Sequence, residues 1–234
     1  MINNSIKTRK ARFDYLKTGY ATIPNFLEEG YVRNLYSHLD LQPADWWLHA
    51  SVPNLEGNYD QPQYFVPNEE NEGNIWEAQV MARDAHSAGQ FAYHFYRTTD
   101  NHAEECRCPE CQFREFVLTD DFMDIVEKVT GHRCTAVDEM FSSMYTKGDF
   151  LNNHTDGDKG KVGFVLNLTL EDWRPHYGGN LVLLDEEENI EKVIVPTFNN
   201  LVLFDVEGGK GKPHYVGEVT NSRAKRIAIS GWIY

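Results

Sequence analysis

The stretch GGNLVLLDEEENIEKVIVPTFNNLVLFDV, residues 178–206, decides the fold class. It holds three short apolar runs rich in Val, Leu and Ile, separated by Gly, Asn, Asp and Pro. Runs of this length bounded by turn formers read as strands rather than helices. Working outward, TAVDEMFSSMYT (135–146), KVGFVLNLTL (161–170), HYVGEVT (214–220) and RIAISGWIY (226–234) have the same character. No helical pattern alternates with these strands, which excludes a parallel α/β sheet and predicts a β-sandwich or jelly roll.

Helical signals fall only before residue 135. The segment ATIPNFLEEGYVRNLYSHLDL reads as a short strand, a turn and an amphipathic helix carrying Val32, Leu35, Tyr36 and Leu39. TDDFMDIVEKVTG reads as a second helix, with Thr119 as N-cap, an acidic first turn and a stop at Gly131. Between them, residues 43–75 form a polar segment of little periodicity, expected as a lid or binding loop. Its Trp46, Trp47, Tyr59, Tyr64 and Phe65 argue against plain disorder. The expected organisation is one domain over 1–234: helical support, lid loop and Cys-rich loop over 1–134, then a jelly-roll core over 135–234 with the helices packed outside.

Charge narrows the function. With 36 acidic against 22 basic residues the formal net charge is −14, which repels phosphate backbones and favours a basic peptide or protein over nucleic acid. No apolar run is long enough for a transmembrane helix, the basic N-terminus lacks the apolar centre of a signal peptide, and four cysteines do not form a secreted disulfide framework. The expected location is cytoplasmic.

The chemistry gathers at FLNNHTDGD, residues 150–158. In an extended chain residues i and i+2 share a side, so His154 and Asp156 can aim an imidazole and a carboxylate at one point. Two polar residues in a turn are the bland alternative. A second histidine would complete a 2-His-1-carboxylate metal site with positions left open. Two candidates exist. His176 sits in the turn-rich EDWRPHYGG, whereas His214 heads a strand-like segment that an antiparallel return could bring beside the pair. Arg226 opens the last strand and should share a face with Ala228 and Ser230, Ile227 and Ile229 taking the other. An arginine on a buried face is costly unless it binds an anion, and a bidentate guanidinium suits a carboxylate. An ordinary ion pair at the sheet edge is the plainer reading of Arg226.

In this order, YTKGDFLNNHTD, EDWRPHYGGNLVLLD, PTFNNLVLFDV and HYVGEV…RIAISGW resemble the prolyl-hydroxylase branch of the 2-oxoglutarate- and iron(II)-dependent dioxygenases. The group that hydroxylates a proline of a small-subunit ribosomal protein is the nearest in flavour. The resemblance implies a double-stranded β-helix and an oxidoreductase using Fe(II), 2-oxoglutarate and O2, which hydroxylates a prolyl residue of a protein or peptide and releases succinate and CO2. It implies His154, Asp156 and His214 as iron ligands. It further implies Arg226 and Tyr145 as cosubstrate contacts and Trp232 as a neighbour of the substrate pocket. Asn167 stands where relatives often carry a cosubstrate tyrosine. Arg223 rivals Arg226, but only Arg226 directly precedes IAISGW.

The resemblance leaves HAEECRCPEC unexplained. His102, Cys106, Cys108 and Cys111 could hold a structural Zn2+, with Cys134 as a substitute ligand; a reduced Cys-rich loop is the alternative. The acidic runs NEENEG (68–73) and DEEEN (185–189) read as solvated loops. Beside the prolyl hydroxylase stand a hydroxylase of small molecules or natural-product peptides and a catalytically silent jelly-roll binding module. A nucleic-acid demethylase is disfavoured by the charge.

Overall fold

The computed structural model describes residues 1–52, 61–98, 102, 105–157, 159–170, 172–207 and 211–234. The five helices among them lie in the N-terminal part of the chain: α1 Thr8–Thr18, α2 Glu29–Asp40, α3 Glu72–Ser87, α4 Pro109–Val117 and α5 Asp120–Thr130. The strands are β1 Tyr20–Pro24, β2 Leu48–Val52, β3 Gln63–Phe65, β4 Tyr93–Arg97, β5 Val137–Tyr145, β6 Phe150–His154, β7 Val162–Asn167, β8 Leu181–Leu184, β9 Ile190–Ile194, β10 Asn200–Asp205, β11 His214–Val216 and β12 Arg226–Ile233. They pair antiparallel in the order β1-β10-β7-β12-β5-β4-β6-β11-β8-β9, with β2 on β4 and β3 on β2.

The strands separate two cores by side-chain alternation. On β10, Leu201 and Leu203 face the helices while Val202 and Phe204 face the interior of the curved sheet. On β12, Ile227, Ile229 and Ile233 join α2 and α5 residues such as Leu35 and Val126, whereas Ala228 and Trp232 look into the interior. Burial on both faces explains why these strands read as unbroken apolar runs. Close packing also fixes a glycine: a Cβ on Gly163 would lie 2.5 Å from the Phe204 ring, so the ring occupies the space a side chain would take. The helix ending at Gly131 is as expected, its cap in the left-handed region at φ 83°. Thr119 stands at its N-cap, but its hydroxyl bonds the Phe116 carbonyl at 2.7 Å instead of capping the helix.

The sheet is larger than the sequence suggests. The described residues of segment 43–75 supply a 3-10 turn at Ala44–Trp46, strands β2 and β3, and the start of α3, where a lid or binding loop was expected. Trp47 is packed into the helix-side core, and Trp46 lies edge-on to His102 with ring centroids 5.0 Å apart. Tyr59 falls outside the described residues. The acidic run 68–73 leads into α3, while 185–189 is the β8–β9 turn, where Asp185 Oδ1 accepts the Glu187 and Asn189 N–H groups. The reason for the difference is non-local: β2 and β3 are short and are held by pairing across the sheet to β4, which no local periodicity announces.

Candidate active site

Strand pairing assembles the first group. His154 ends β6 and His214 begins β11, and the two are direct antiparallel partners, with ring centroids 4.3 Å apart. Asp156 follows in the turn after β6 and reaches both rings: its Oδ1 is 3.5 Å from His154 Nε2 and its Oδ2 is 3.6 Å from His214 Nε2. One ligand atom from each residue lies within 4.8 Å of the others. The pair thus has His214 as a third neighbour, whereas His176 sits in a 3-10 turn at Pro175–Tyr177 outside this group.

Backbone carbonyls orient both imidazoles. His154 Nδ1 lies 2.9 Å from the Asn152 carbonyl and His214 Nδ1 2.8 Å from the Lys212 carbonyl. With the protons held at Nδ1, the Nε2 lone pairs point at the shared space, as metal-binding histidines require. Burial, then the neighbouring His154, pushes the His214 imidazole down to about 4, so it is neutral near pH 7. Burial alone would raise the Asp156 carboxyl. Its contacts with His154, His214 and the Trp232 indole N–H outweigh that and hold it well below the usual carboxylate range. Two imidazoles and one carboxylate on one side of a point are the donor set of a three-ligand iron site with open positions. The residues present fit the metal.

These three line a cavity of about 240 Å³ that also contains Tyr145, Arg226, Ser230 and Trp232. Arg226 pairs in register with Tyr145 of β5, and its guanidinium sits 4.8 Å from the Tyr145 ring centroid. Only 2% of Arg226 is exposed, and its Nε has no hydrogen-bond partner among the described residues. Burial lowers its pKa, opposed by the Tyr145 phenol, and among the described residues no carboxylate takes part. The ordinary ion-pair reading of Arg226 thus fails. A buried cation with an unmatched donor, opening on a cavity, fits an anion brought by a ligand. Burial raises the Tyr145 phenol and keeps it protonated, an O–H donor beside that cation. Arg223 is exposed before β12 and does not line the cavity. Asn167 is buried with Nδ2 3.4 Å from the Asn200 carbonyl, and it too is absent from the lining.

Sequence reasoning missed the aromatic wall. Phe91, Tyr93, Phe95 and Phe141 line the cavity with Trp232, in place of the tryptophans of segment 43–75. Tyr93 and Phe95 share a face of β4 by the two-residue period of YHFYR, the one signal that could have revealed them. Lys159 lies 4.0 Å over the Trp232 ring and Arg97 3.9 Å over Phe141, and both pair with Glu139, at 3.4 and 2.6 Å.

Residues 140–234 are similar to the 2OG-Fe(II) oxygenase superfamily, and the sheet has the double-stranded β-helix fold. The description of that superfamily names Fe(II) and 2-oxoglutarate. It is 31% identical to prolyl 3-hydroxylase sudestada1 of Drosophila melanogaster over 154 residues, 61% of this chain. That match spans only 28% of the fly protein. Two solved structures share the fold. A Pseudomonas putida prolyl-4-hydroxylase aligns over 97% of this chain and 98% of its own, with TM-score 0.56 and 17% identity. A Trichoplax adhaerens prolyl hydroxylase in complex with a hypoxia-inducible-factor peptide aligns over 97% and 90%, with TM-score 0.61 and 20% identity.

Proposed function

We propose that this chain is an Fe(II)- and 2-oxoglutarate-dependent hydroxylase acting on a prolyl residue of a protein or peptide. The observation that carries the reading is one cavity holding the His154–Asp156–His214 group together with a buried arginine whose Nε lacks a partner among the described residues. His154, Asp156 and His214 would hold the iron. Arg226, with the Tyr145 hydroxyl beside it, would hold the distal carboxylate of 2-oxoglutarate. Iron, 2-oxoglutarate and O2 together supply the oxidising power to convert a substrate C–H into C–OH, with succinate and CO2 as co-products.

The chain's own groups do the positioning. The Asn152 and Lys212 carbonyls keep both imidazole protons at Nδ1, and the Trp232 N–H steadies the Asp156 carboxylate. Phe91, Tyr93, Phe141 and Trp232 give flat apolar walls suited to a pyrrolidine ring and exclude water from the reacting carbon. A second, open groove shares Phe91, Leu151 and Val216 with the cavity and carries Glu188 and Glu218. Its carboxylates and the net charge of −14 favour Lys or Arg beside the target proline. We also read the His102 and cysteine group as a zinc site.

Succinate formation, followed with Fe(II), 2-oxoglutarate and a proline-containing basic peptide, tests the proposal. Stimulation by the peptide well above that by free L-proline is expected. If free amino acids turn over and prolyl peptides do not, the small-molecule hydroxylase replaces this reading. If nothing does, and no iron binds, the silent binding module does.

A further inference from the structure

A second group of metal-binding side chains lies away from the cavity, on the helix side of the sheet. His102, Cys106, Cys108 and Cys111 each offer one ligand atom, and the four atoms lie within 4.8 Å of one another. Cys111 Sγ is 3.1 Å and Cys108 Sγ 3.6 Å from His102 Nδ1. A tetrahedral zinc with Zn–S of about 2.3 Å and Zn–N of about 2.0–2.1 Å has ligand-to-ligand edges of roughly 3.5–3.8 Å. The observed spacing fits a single ion and is too tight to embrace a two-metal cluster. All four cysteines of the chain are free thiols, and Cys134 is buried in the helix-side core, apart from this group.

Local structure preforms the group. Cys108 is the N-cap of α4, and its Sγ accepts the Cys111 N–H at 3.4 Å, so the first helical turn points both sulfurs to the same side. Pro109 opens that turn at the position where a helix best tolerates it. On the far side of the imidazole, His102 Nε2 lies 3.3 Å from Glu110 Oε2. Glu110 is wholly buried, and the His102 ring is the neighbour that Oε2 faces among the described residues. Its other oxygen accepts the Thr98 hydroxyl at 3.0 Å and the Ser142 hydroxyl at 2.6 Å. A buried carboxylate behind one ring nitrogen fixes the imidazole as the Nε2–H tautomer, leaving the Nδ1 lone pair for the sulfur-lined space; carboxylate–histidine–zinc sites are built this way.

We propose that His102, Cys106, Cys108 and Cys111 bind one structural zinc ion. Three thiolates and one imidazole form a closed set with no open position, which assigns the ion to bracing rather than catalysis. The brace ties the loop after β4 to the start of α4. Through Glu110 it reaches Thr98 and Ser142, the latter next to the cavity-lining Ser143 on β5. Trp46 covers His102, and the Tyr31 hydroxyl bonds the Pro109 carbonyl at 2.9 Å, joining α2 to the same knot.

Metal analysis of the full chain, purified without added zinc, tests the proposal. The iron group could itself take up zinc, so the measurement uses the His154→Ala/Asp156→Ala variant, in which any retained zinc belongs to the cysteine group. One zinc per chain is expected, and Co2+ exchanged into it should show thiolate-to-cobalt charge-transfer absorption. Adding Cys108→Ser and Cys111→Ser should remove the zinc and lower Tm. Should that variant fail to fold, Glu110→Gln keeps every ligand and should weaken zinc binding by about 10–100-fold against a competing chelator. Absence of zinc from the folded parent, a disulfide among these cysteines, a Co2+ spectrum without thiolate bands or an unchanged affinity in Glu110→Gln would each overturn it.

Discussion

Arg226 is where the chemistry of a single residue is most exposed to test. Its buried guanidinium opens on the cavity with Nε unmatched among the described residues, so truncation should remove the proposed 2-oxoglutarate contact and leave the proposed iron site standing. Removing one side of a buried charged pair costs about 2–5 kcal/mol, a loss of roughly 30- to several-thousand-fold in affinity. Arg226→Ala should raise the 2-oxoglutarate requirement by that order, and Arg223→Ala, altering an exposed residue, should leave it near wild type; equal effects in a titration of initial rate would contradict the assignment. Among the ligands, His154→Ala, Asp156→Ala and His214→Ala should each abolish iron binding by equilibrium dialysis while the far-ultraviolet dichroism stays native. His176→Ala should bind iron normally. These residues were legible in the sequence because their signals are local or ordered: two residues apart on an extended chain, one heading a strand, one opening the last. The metal and anion readings are favoured over the bland turn and ion-pair readings only by the pairing of β6 with β11 and by the lack of a carboxylate at Arg226 among the described residues.

At the scale of elements, β7 and β10 depend on a glycine–aromatic fit. Gly163→Ala would force its Cβ to 2.5 Å from the Phe204 ring, an overpacking that costs about 1–3 kcal/mol. For a chain of this size that lowers Tm by roughly 2–12 °C. Phe204→Leu in the same background should recover part of the loss in calorimetry, and no recovery would mean the strain lies elsewhere. Strand β2 carries a different liability. His49 is fully buried beside His94 and Tyr96, with His94 Nδ1 2.8 Å from Asp149 Oδ1, and neither His49 nitrogen has a hydrogen-bond partner among the described residues. Burial, then the nearby His94, pushes His49 down to about 4 from an ordinary 6.5. Between those values the unfolded chain binds a proton that the folded one refuses, so His49 costs stability as pH falls from about 6.5 towards 4, by up to about 3 kcal/mol. His49→Leu should flatten that acid slope in denaturant titrations at several pH values; an unchanged slope would assign the acid sensitivity to other groups. The elements hardest to read were β2 to β4, α1 and α3. Helix α1 buries only Ala11 and Tyr15, and α3 packs on alanines and Ile75, so their apolar stripes are too faint for periodicity to reveal.

For the whole molecule, β7, β8, β10 and β12 announced a jelly roll because they are buried on both faces, and turn formers mark their ends. The N-terminal part contributes more than support: β4 brings Tyr93 and Phe95 to the cavity wall and joins β5 to β6. The acidic groove beside that wall predicts a salt-sensitive substrate. Raising ionic strength should weaken stimulation by a basic prolyl peptide more than by a neutral one, since exposed charges are screened over about 8–10 Å at physiological salt. Equal salt responses would remove Glu188 and Glu218 from substrate recognition. The central claim is tested most directly by mass spectrometry of a proline-containing peptide after incubation with the protein, Fe(II), 2-oxoglutarate and O2. The account predicts a gain of one oxygen atom located on proline, matched by one succinate and absent with the Asp156→Ala variant. An unmodified peptide alongside oxidised free amino acids, or modification that survives Asp156→Ala, would contradict it.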